Sequence, residues 1–383
     1  MNNLKNKQIA IVGAGPGGLT LARLLQISGV AVKVYERDIN KDARAKGATL
    51  DLHEESGLKA LHDAGLIDAF NANYRPGADK MRIVNKSGII VFDDEANQRG
   101  GPSRPEIDRG PLQTILLDSL QPDTVVWDSH FESLSSAGGS WSVEFKNGSR
   151  ISADIVIGAD GANSKIRPYI TPIKPFYVGI TAVEGAIYNS EVASPKIHKL
   201  LNGGKIFAMG DSKSLFVSSK GDGSLVFYPG FKKEENWARE SGIDFTDKAQ
   251  VLTWFKQEYA GWDSIWNELF ENASVPFMPR PQYCLPLDQA WEALPNLTML
   301  GDAAHLMPPY AGEGVNMAML DALELSQCLL RNDFIDLHAA IAAYEKQMRA
   351  RTSEIASITL ESTAALHSPE AISYLMNVIG VNN

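Results

Sequence analysis

A glycine-rich turn near the start of the chain has the composition that binds the phosphates of a dinucleotide. Residues 13–18 read GAGPGG, after an apolar segment and before a stretch with helical apolar spacing. Such a turn offers backbone N–H groups and a helix N-terminus to a pyrophosphate. We expect Gly13 to permit the tight turn, Gly15 to admit the phosphates and Gly18 to let helix and strand pack closely. Glu36 ends the next strand, where a carboxylate suits a pair of ribose hydroxyls.

Two later motifs place a carboxylate among small residues, each after a short apolar segment that reads as a buried strand. Residues 158–161 read GADG and contain Asp160, and residues 301–305 read GDAAH and contain Asp302. Asp302 is placed to hold the ribityl hydroxyls of a flavin. Asp160, followed by Ser164 and Arg167, has two interpretations: support for flavin and reductant binding, or a turn capped by an aspartate.

The third motif continues into a loop and an apolar helix. Residues 308–309 are both proline and 312–314 read GEG, before the helical stretch that starts at Val315. A helix N-terminus carries roughly half a positive charge, which would stabilise negative charge on the pyrimidine edge of a reduced flavin. A plain helix-capping loop is the alternative. His305 lies in an apolar stretch and is interpreted as structural. The predicted cofactor residues of this region are Pro309, Gly312, Gly314, Val315 and Asn316.

The elements that must position these motifs begin with a βαβ unit. A strand over 8–12, a helix over 19–27 and a strand over 31–35 enclose the glycine turn. NAD and FAD sites share this unit, so the two later motifs favour FAD as the resident cofactor. Further predicted elements are a helix-rich segment over 49–70, strands over 81–83, 89–92 and 155–157, a helix over 111–120 that Arg109 opens, and a hairpin at 147–148.

The segment 176–280 has a different character. Its apolar residues alternate, it is rich in aromatic residues, and glycine turns divide it. This pattern predicts a mixed sheet with one solvated face, together with a helix over 249–259. Helices are also predicted over 315–330, 337–366 and 369–378, the second of them long and either continuous or broken. We expect the substrate between this sheet and the flavin. The C-terminal helices either close one side of that site or pack on the core.

The predicted fold class is α/β: a Rossmann-like FAD-binding domain interleaved with a mixed-sheet substrate domain and C-terminal helices. The nucleotide-binding motifs occur early, in the middle and late in the chain, so the domains are not consecutive. The FAD-binding parts are predicted at 1–75, 106–175 and 281–330, the substrate sheet at 76–105 and 176–280, and the closing helices at 331–383.

Composition narrows the class of protein. With 383 residues, about two domains are expected, and a net charge of -10 disfavours a nucleic-acid partner. Two cysteines without a CxxC pair predict neither a disulfide framework nor a zinc site, and we predict no metal. A polar N-terminus and the lack of an apolar run of about 18 residues predict a cytoplasmic protein without a membrane span. We expect a monomer whose partners are a small-molecule substrate and molecular oxygen.

The motifs together resemble the class A flavin monooxygenases, the para-hydroxybenzoate-hydroxylase-like group. Within that group the chain looks most similar to the tetracycline-inactivating monooxygenases of the TetX type. The stretches that carry the resemblance are VYERD at 34–38, GATLDLH at 47–53 and GDAAHLMPP at 301–309. The resemblance implies cofactor roles for Arg44, Asp51, Arg109 and Asp302, and places Arg37 against the adenosine half of FAD.

Other positions depart from the TetX pattern. Glu184, Lys205 and Val226 stand where that family has the Gln, Arg and His that contact tetracycline. The GADG motif is closer to general hydroxylases. We therefore predict a substrate site that includes Glu184, Lys205, Val226 and Phe216, and leave the substrate open between a tetracycline and another planar aromatic or polyoxygenated compound.

The resemblance also implies a mechanism without a catalytic acid or base from the protein. NADPH or NADH acts as a transient reductant of FAD, oxygen forms a C4a-hydroperoxide, and the substrate takes the distal oxygen while the protein excludes water. Two other readings remain. The first is a flavin halogenase or a flavin reductase without oxygen transfer, and the region of Trp262 and Trp266 disfavours the halogenase because it lacks the pattern Trp-x-Trp-x-Ile-Pro. The other is a flavin-bound protein that sequesters its ligand without turnover.

Overall fold

The chain folds into two compact units, each assembled from separate segments. The computed structural model describes residues 4, 6–43, 49–95 and 104–381. Unit 1 comprises Met1–Tyr74, Arg109–Phe176 and Cys284–Thr359, and unit 2 comprises Arg75–Asp108, Tyr177–Tyr283 and Leu360–Asn383. The predicted fold class, an interleaved α/β architecture, is confirmed.

The strands follow one another along the described chain with these bounds. They are β1 (Ile9–Val12), β2 (Val32–Tyr35), β3 (Thr49–Asp51), β4 (Met81–Asn85), β5 (Ile90–Asp93), β6 (Glu106–Asp108), β7 (Val125–Val126), β8 (Phe131–Ala137), β9 (Ser140–Phe145), β10 (Arg150–Ala153), β11 (Ile155–Gly158), β12 (Phe176–Ile187), β13 (Lys205–Gly210), β14 (Lys213–Ser219), β15 (Leu225–Lys232), β16 (Ser274–Cys284) and β17 (Leu297–Met299).

The helices are more numerous than the sequence patterns indicated. They are α1 (Pro16–Ile27), α2 (Gly57–Asp63), α3 (Ile67–Asn71), α4 (Arg109–Asp118), α5 (Ser190–Ala193), α6 (Pro195–Leu201), α7 (Trp237–Glu240), α8 (Lys248–Glu258), α9 (Asn267–Asn272), α10 (Asp302–His305), α11 (Gly314–Leu330), α12 (Leu337–Leu366) and α13 (Ala371–Val378). The long C-terminal helix is continuous, with residues 337–359 in unit 1 and 360–366 in unit 2.

Unit 1 is built on a parallel sheet with strand order β17-β11-β1-β2-β7. Its inner strands β1 and β11 are apolar and fully buried, as expected for a parallel sheet that is covered on both sides. Ala10 and Val12 of β1 pack with Phe131 and Phe145 of the antiparallel sheet β10-β9-β8. The sharp turn at Asn147 and Gly148, with φ +85° at Gly148, joins β9 to β10 and confirms the predicted hairpin.

Unit 2 is built on a seven-stranded mixed sheet with order β16-β12-β15-β14-β13-β4-β5. The β13–β4 pair is parallel, and the β12–β15, β14–β15, β13–β14 and β4–β5 pairs are antiparallel. One face carries an aromatic core in which Phe227, Phe270 and Phe277 lie together, covered by α6, α8 and α9. Helix α8 starts at a side-chain cap, because Asp247 accepts the N–H groups of Ala249 and Gln250.

The sequence patterns missed the short helices within 176–280. Helices α5, α6 and α7 are only four to seven residues long. Too few apolar positions fall within such a length to establish a helical period, so packing rather than propensity stabilises these helices. Among the described helices, none is both long and apolar enough to cross a membrane.

The opposite face of the unit 2 sheet is partly covered by the C-terminal segment. Helix α13 packs against β13 and β4. His367 is fully buried, and its Nδ1 lies 2.8 Å from the carbonyl oxygen of Thr363, so Nδ1 carries the proton. Its Nε2 accepts from the hydroxyl of Ser214 at 3.1 Å. Burial lowers the pKa of His367 to about 4, against a smaller opposing effect of the Thr363 carbonyl.

This histidine predicts a stability loss in mild acid. In the folded protein His367 stays neutral down to about pH 4, whereas in the unfolded chain it takes up a proton near pH 6.5. The contribution of neutral His367 to the free energy of unfolding is therefore fully present above about pH 6.5 and is lost as the pH falls from there towards 4. Between pH 7.5 and 5 the loss is about 2 kcal/mol, measurable by urea unfolding. His367→Gln should lose correspondingly less over the same range, and equal losses in both proteins would contradict this assignment.

Candidate functional site

The three sequence motifs meet at one edge of the parallel sheet of unit 1. Strand β1 is paired with β2 and β11, and β11 with β17, so Val12, Tyr35, Gly158 and Met299 end side by side. The GAGPGG, GADG and GDAAH loops follow directly from β1, β11 and β17. Open parallel sheets bind ligands outside the carboxyl ends of their strands. The residues that were predicted from separate parts of the chain therefore form one candidate site.

Two glycines of the first loop are required by close backbone packing. Gly13 has φ +113°, and a Cβ built on it would lie 2.2 Å from the carbonyl oxygen of Ala159. A Cβ on Gly18 would lie 2.2 Å from the carbonyl oxygen of Gly13. Gly17, which we did not single out, packs against Leu300 and Ala318, so that α1 and α11 approach closely. These contacts bind the first loop to the second and to the elements around the third.

Gly15 is different, because the space beside it is open. A Cβ on Gly15 would meet no described atom within 4 Å. Gly15 precedes α1, whose first N–H groups receive no side-chain cap from the described residues. Uncapped N–H groups at a helix start beside open space are the geometry that accepts a pyrophosphate. The loop therefore fits the dinucleotide cofactor that its sequence predicts.

Glu36 lies at the end of β2 and also braces the glycine loop. Its carboxylate accepts the N–H of Ala14 at 2.7 Å and the N–H of Asp38 at 3.1 Å, and the residue is buried. The sequence predicted only a ribose contact for this carboxylate. Its neighbour Arg37 is exposed at the same edge. Arg44 lies outside the described residues.

Asp302 lies beside the start of α11. A Cβ on Gly314 would be 3.9 Å from Oδ1 of Asp302, so the carboxylate is next to the N-terminus of that helix. Burial raises the pKa of Asp302, opposed by His305, Arg109 and Arg167. Arg167 is itself buried and donates to the carbonyl oxygens of Ala303, at 2.7 Å, and Asp302, at 3.0 Å. Arg167 thus holds the backbone of the loop that carries Asp302.

The loop before α11 is braced by the strand that carries Asp51. Asn316 is fully buried and donates to the carbonyl oxygens of Asp51, at 2.9 Å, and Gly312, at 3.2 Å. Its side-chain oxygen accepts the N–H of His53. Oδ2 of Asp51 lies 3.1 Å from Nε2 of His53, and Gly312 adopts φ +73° against the same carboxylate. Pro309 is exposed in the short helical turn before Gly312, and Val315 is half-buried.

Asp160 caps its own turn. Oδ2 accepts the N–H groups of Lys165, at 2.8 Å, and Ile166, at 3.3 Å, which is the capped-turn geometry. Ser164 accepts the N–H of Arg167 at 3.0 Å. Oδ1 of Asp160 is buried and has no hydrogen-bond partner among the described residues. The turn uses one carboxylate oxygen and leaves the other for a donor that those residues do not supply.

The predicted substrate residues share one face of the unit 2 sheet. Ile206, Val217, Phe227 and Val183 belong to the aromatic core, and alternation along each strand turns their neighbours to the other face. The four predicted residues are such neighbours: Lys205, Phe216, Val226 and Glu184.

Not all of these side chains are equally available. Lys205 forms an ion pair with buried Glu106, and Val226 is buried. Glu184 is bound by the guanidinium of Arg280, with N–O distances of 2.9 and 3.0 Å. Phe216 is half-buried and lies edge-on to Phe207, with ring centroids 4.9 Å apart. An aromatic surface with a paired carboxylate is thus the accessible part of this face.

A family comparison accounts for the cofactor site. The sequence model of the family described as FAD binding domain matches residues 6–177 and 295–340, more than half of the chain. The chain belongs to this family. The matched segments contain the three motifs and omit most of unit 2. The prediction of FAD as the bound cofactor is confirmed.

Relatives of this flavoprotein extend the match to nearly the whole chain. Monooxygenase asqM of Emericella nidulans is 27% identical, with 95% of this chain and 96% of that protein covered. The 6-hydroxynicotinate 3-monooxygenase of Pseudomonas fluorescens is 26% identical, with 94% and 92% covered. The protein is an FAD-dependent monooxygenase, as predicted.

A solved tetracycline destructase shares the fold of this flavoprotein. Tet(55) superposes with a TM-score of 0.76 over 97% of this chain and 94% of that one, at 20% identity. At this level of identity the likeness establishes the fold alone, so it does not assign a substrate.

The open space beside Gly15 gives a direct test of the phosphate position. Gly15→Val should fold normally, because no described atom opposes the new side chain, yet it should weaken FAD binding by more than about tenfold. Titration of apoprotein with FAD measures the affinity, and thermal unfolding of apoprotein measures stability. Gly17→Val is the contrasting control, since it should destabilise the apoprotein by clashing with Leu300 and Ala318. Unchanged FAD affinity in Gly15→Val would contradict the assignment.

The carboxylate of Asp302 can be tested separately. Asp302→Asn keeps the shape but removes the charge. The loss of a charge-assisted hydrogen bond costs roughly 1.5–3 kcal/mol, which weakens FAD binding on the order of tenfold to a hundredfold. Asp63→Asn, at the end of α2, is a control for loss of one charge from unit 1. If both variants bind FAD like the unchanged protein, Asp302 is only a loop residue.

Proposed function

We propose that this flavoprotein hydroxylates a planar aromatic or polyoxygenated small molecule, using molecular oxygen and NADPH or NADH. The proposal rests on two features of the structure, one in each unit. Three dinucleotide-binding loops meet at one sheet edge of unit 1, and unit 2 has an aromatic sheet face opposite its core. Relatives named as hydroxylating enzymes, such as the 6-hydroxynicotinate 3-monooxygenase, support the same class of substrate.

The protein residues of the cofactor site bind and orient rather than react. When bound, FAD accepts reducing equivalents from the nicotinamide and activates oxygen for transfer to the substrate. Asp302, Glu36 and the N-terminus of α1 would hold the polar parts of the cofactor. The N-terminus of α11, which lies beside Asp302, would favour negative charge on the flavin ring. No side chain is assigned as a catalytic acid or base.

The substrate lies on the aromatic face of the unit 2 sheet. By strand register, Phe207 is paired with Phe216, and Phe216 with Tyr228. Continuing the β12–β15 register sets Glu184 opposite Tyr228. This row offers ring faces and edges to a planar molecule, with the Glu184–Arg280 pair at one end for its polar groups. Residues 360–381, which pack on part of this face, close one side of the site.

Two of the four predicted substrate residues are not available for direct contact with the substrate. Lys205 is engaged by Glu106, and Val226 is buried. We therefore assign direct contact to Phe216 and Glu184, while Lys205 and Val226 help to shape the same face without contacting the substrate. Only one βαβ glycine loop is present in the described chain, so the reductant binds transiently near the flavin rather than in a second site of this kind.

A tetracycline is the second substrate candidate. The motifs that resemble the TetX type and the shared fold of Tet(55) favour it. The positions at which that family contacts the antibiotic weigh against it, because here they are an acid, a lysine held in an ion pair and a buried valine. The first candidate therefore remains the broader class of aromatic hydroxylation.

A panel of phenols, N-heteroaromatic compounds and tetracyclines tests the function. Each compound is added with NADPH or NADH, and oxygen consumption and product mass are measured. A substrate should accelerate NAD(P)H oxidation and gain the mass of one oxygen atom. Binding without accelerated oxidation would indicate sequestration. Accelerated oxidation that yields only hydrogen peroxide for every compound would contradict the proposal for this panel.

The sheet face predicts two changes in specificity. Phe216→Ala should lower kcat/KM about tenfold, since it removes part of an apolar contact worth roughly 1.5–3 kcal/mol. Glu184→Gln should change the ranking of substrates that carry different polar groups. FAD affinity should be unchanged in both. Glu191→Gln, in the exposed part of α5, is the control for Glu184. Unaltered kinetics in both site variants would place the substrate elsewhere.

A further inference from the structure

A buried charge cluster joins helix α12 to the GDAAH loop of the FAD site. Asp321 of α11 is fully buried. Its Oδ2 accepts the N–H of Gly301 at 2.8 Å and lies 2.5 Å from Nε2 of His305. Its Oδ1 accepts from the guanidinium of Arg351 on α12. One carboxylate therefore joins both ends of the GDAAH loop to a helix 30 residues further along the chain.

We propose that Arg351 is a positioning residue for the FAD site. It acts through Asp321 on Gly301 and His305, the residues that flank Asp302 and its neighbouring alanines. Gly301 has φ +62°, a backbone conformation that the hydrogen bond from its N–H to Asp321 helps to fix. The orientation of Asp302 towards the ribityl chain depends in this way on a cation that does not touch the cofactor.

The charged groups around Asp321 explain why the guanidinium of Arg351 is needed. The titratable groups around Asp321 are His305, Arg351, Glu324 and Tyr344. Arg351 also pairs with Glu324, so one guanidinium serves two carboxylates. Arginine suits this position because its planar fork bonds two acceptors at fixed angles, whereas lysine presents a point charge. Removing one partner of a buried pair is costly, since the other charge remains uncompensated.

His305 is a second connection between Asp321 and the GDAAH loop. Its Nδ1 is buried without a hydrogen-bond partner among the described residues, and its Nε2 donates to Asp321. If Asp321 shifts, His305 loses this partner and α10 moves with it. The buried pair is therefore a structural link, which agrees with the role that its apolar sequence surroundings predicted for His305.

Tyr344 and Glu345 of α12 contact strand β17 rather than the GDAAH loop. The hydroxyl of Tyr344 donates to the carbonyl oxygen of Met299, and Glu345 accepts from Thr298 and Trp291. A truncation after Ala350 would leave Asp321 buried without Arg351. Loss of FAD from such a protein would report on positioning of the loop, and not on closure of the substrate site.

The test measures FAD affinity of refolded apoprotein, with Arg351→Met as the principal variant. Methionine keeps much of the apolar stem and removes the charge. The Kd for FAD should rise about tenfold or more at pH 8. Arg349→Met is the matched control: it removes a cation two residues away that packs on Trp291 and contacts Glu345, so it should lower stability without changing the Kd.

A second readout separates positioning from general destabilisation. Thermal unfolding of apoprotein gives the stability of each variant, so the Kd for FAD can be compared with the loss of stability in Arg351→Met and Arg349→Met. Arg351→Lys keeps the charge beside Asp321 and should restore part of the affinity that Arg351→Met loses. A wild-type Kd in folded Arg351→Met, equal weakening in Arg349→Met, or no recovery in Arg351→Lys would overturn the proposal.

If Arg351→Met does not fold, a second variant still tests the proposal. Arg351→Lys keeps the charge and loses the fork, so it should bind FAD with an affinity below that of the unchanged protein while retaining its helical content. A wild-type Kd in Arg351→Lys would then overturn the proposal. Because FAD binding is the readout, neither result depends on which substrate the enzyme oxidises.

Discussion

The close approach of two backbone loops, Gly13 to Ala159, is the constraint on which the cofactor site depends. The parallel sheet brings the ends of β1, β11 and β17 to one edge, but pairing alone would leave three separate loops. A side chain at Gly13 would collide with the carbonyl of Ala159, and one at Gly18 would collide with Gly13. The absence of these side chains lets the first two loops share a surface while the space beside Gly15 stays open to a ligand.

The two units differ in their buried contacts. Unit 2 has a core of stacked and edge-on aromatic rings, in which Phe255 and Phe270 lie 3.9 Å apart by centroid. Unit 1 combines an apolar sheet with buried ions such as Asp321, whose hydrogen bonds fix loop geometry. Buried ions add little net stability, but they penalise alternative arrangements because each must keep its partner.

Several predicted cofactor residues have a structural role beside the predicted one. Glu36 braces the glycine loop, Asp160 caps its turn, and Asn316 joins two chain segments. In each case a side chain that a sequence pattern assigns to a ligand also forms hydrogen bonds within the protein: the carboxylates accept, and the side-chain nitrogen of Asn316 donates. These bonds pre-organise the loops, so that FAD meets donors and acceptors already in position. The sheet face that we propose for the substrate has fewer such hydrogen bonds, and its Lys205 is held by Glu106.

The sequence by itself determined what local spacing encodes: the glycine turn, the strands before each motif, the FAD cofactor and the interleaved α/β class. The glycine turn and the strands follow from residues within a few positions of one another, where backbone geometry leaves few alternatives. The FAD cofactor and the interleaved class follow from the order of the three motifs along the chain. Tertiary structure alone decided which distant groups meet. Arg351 lies 30 residues from Asp321, and Glu106 lies far from Lys205 along the chain. Nothing in their spacing marks these pairs, because ion pairing depends on three-dimensional proximity and on burial, which exist only after the units have folded.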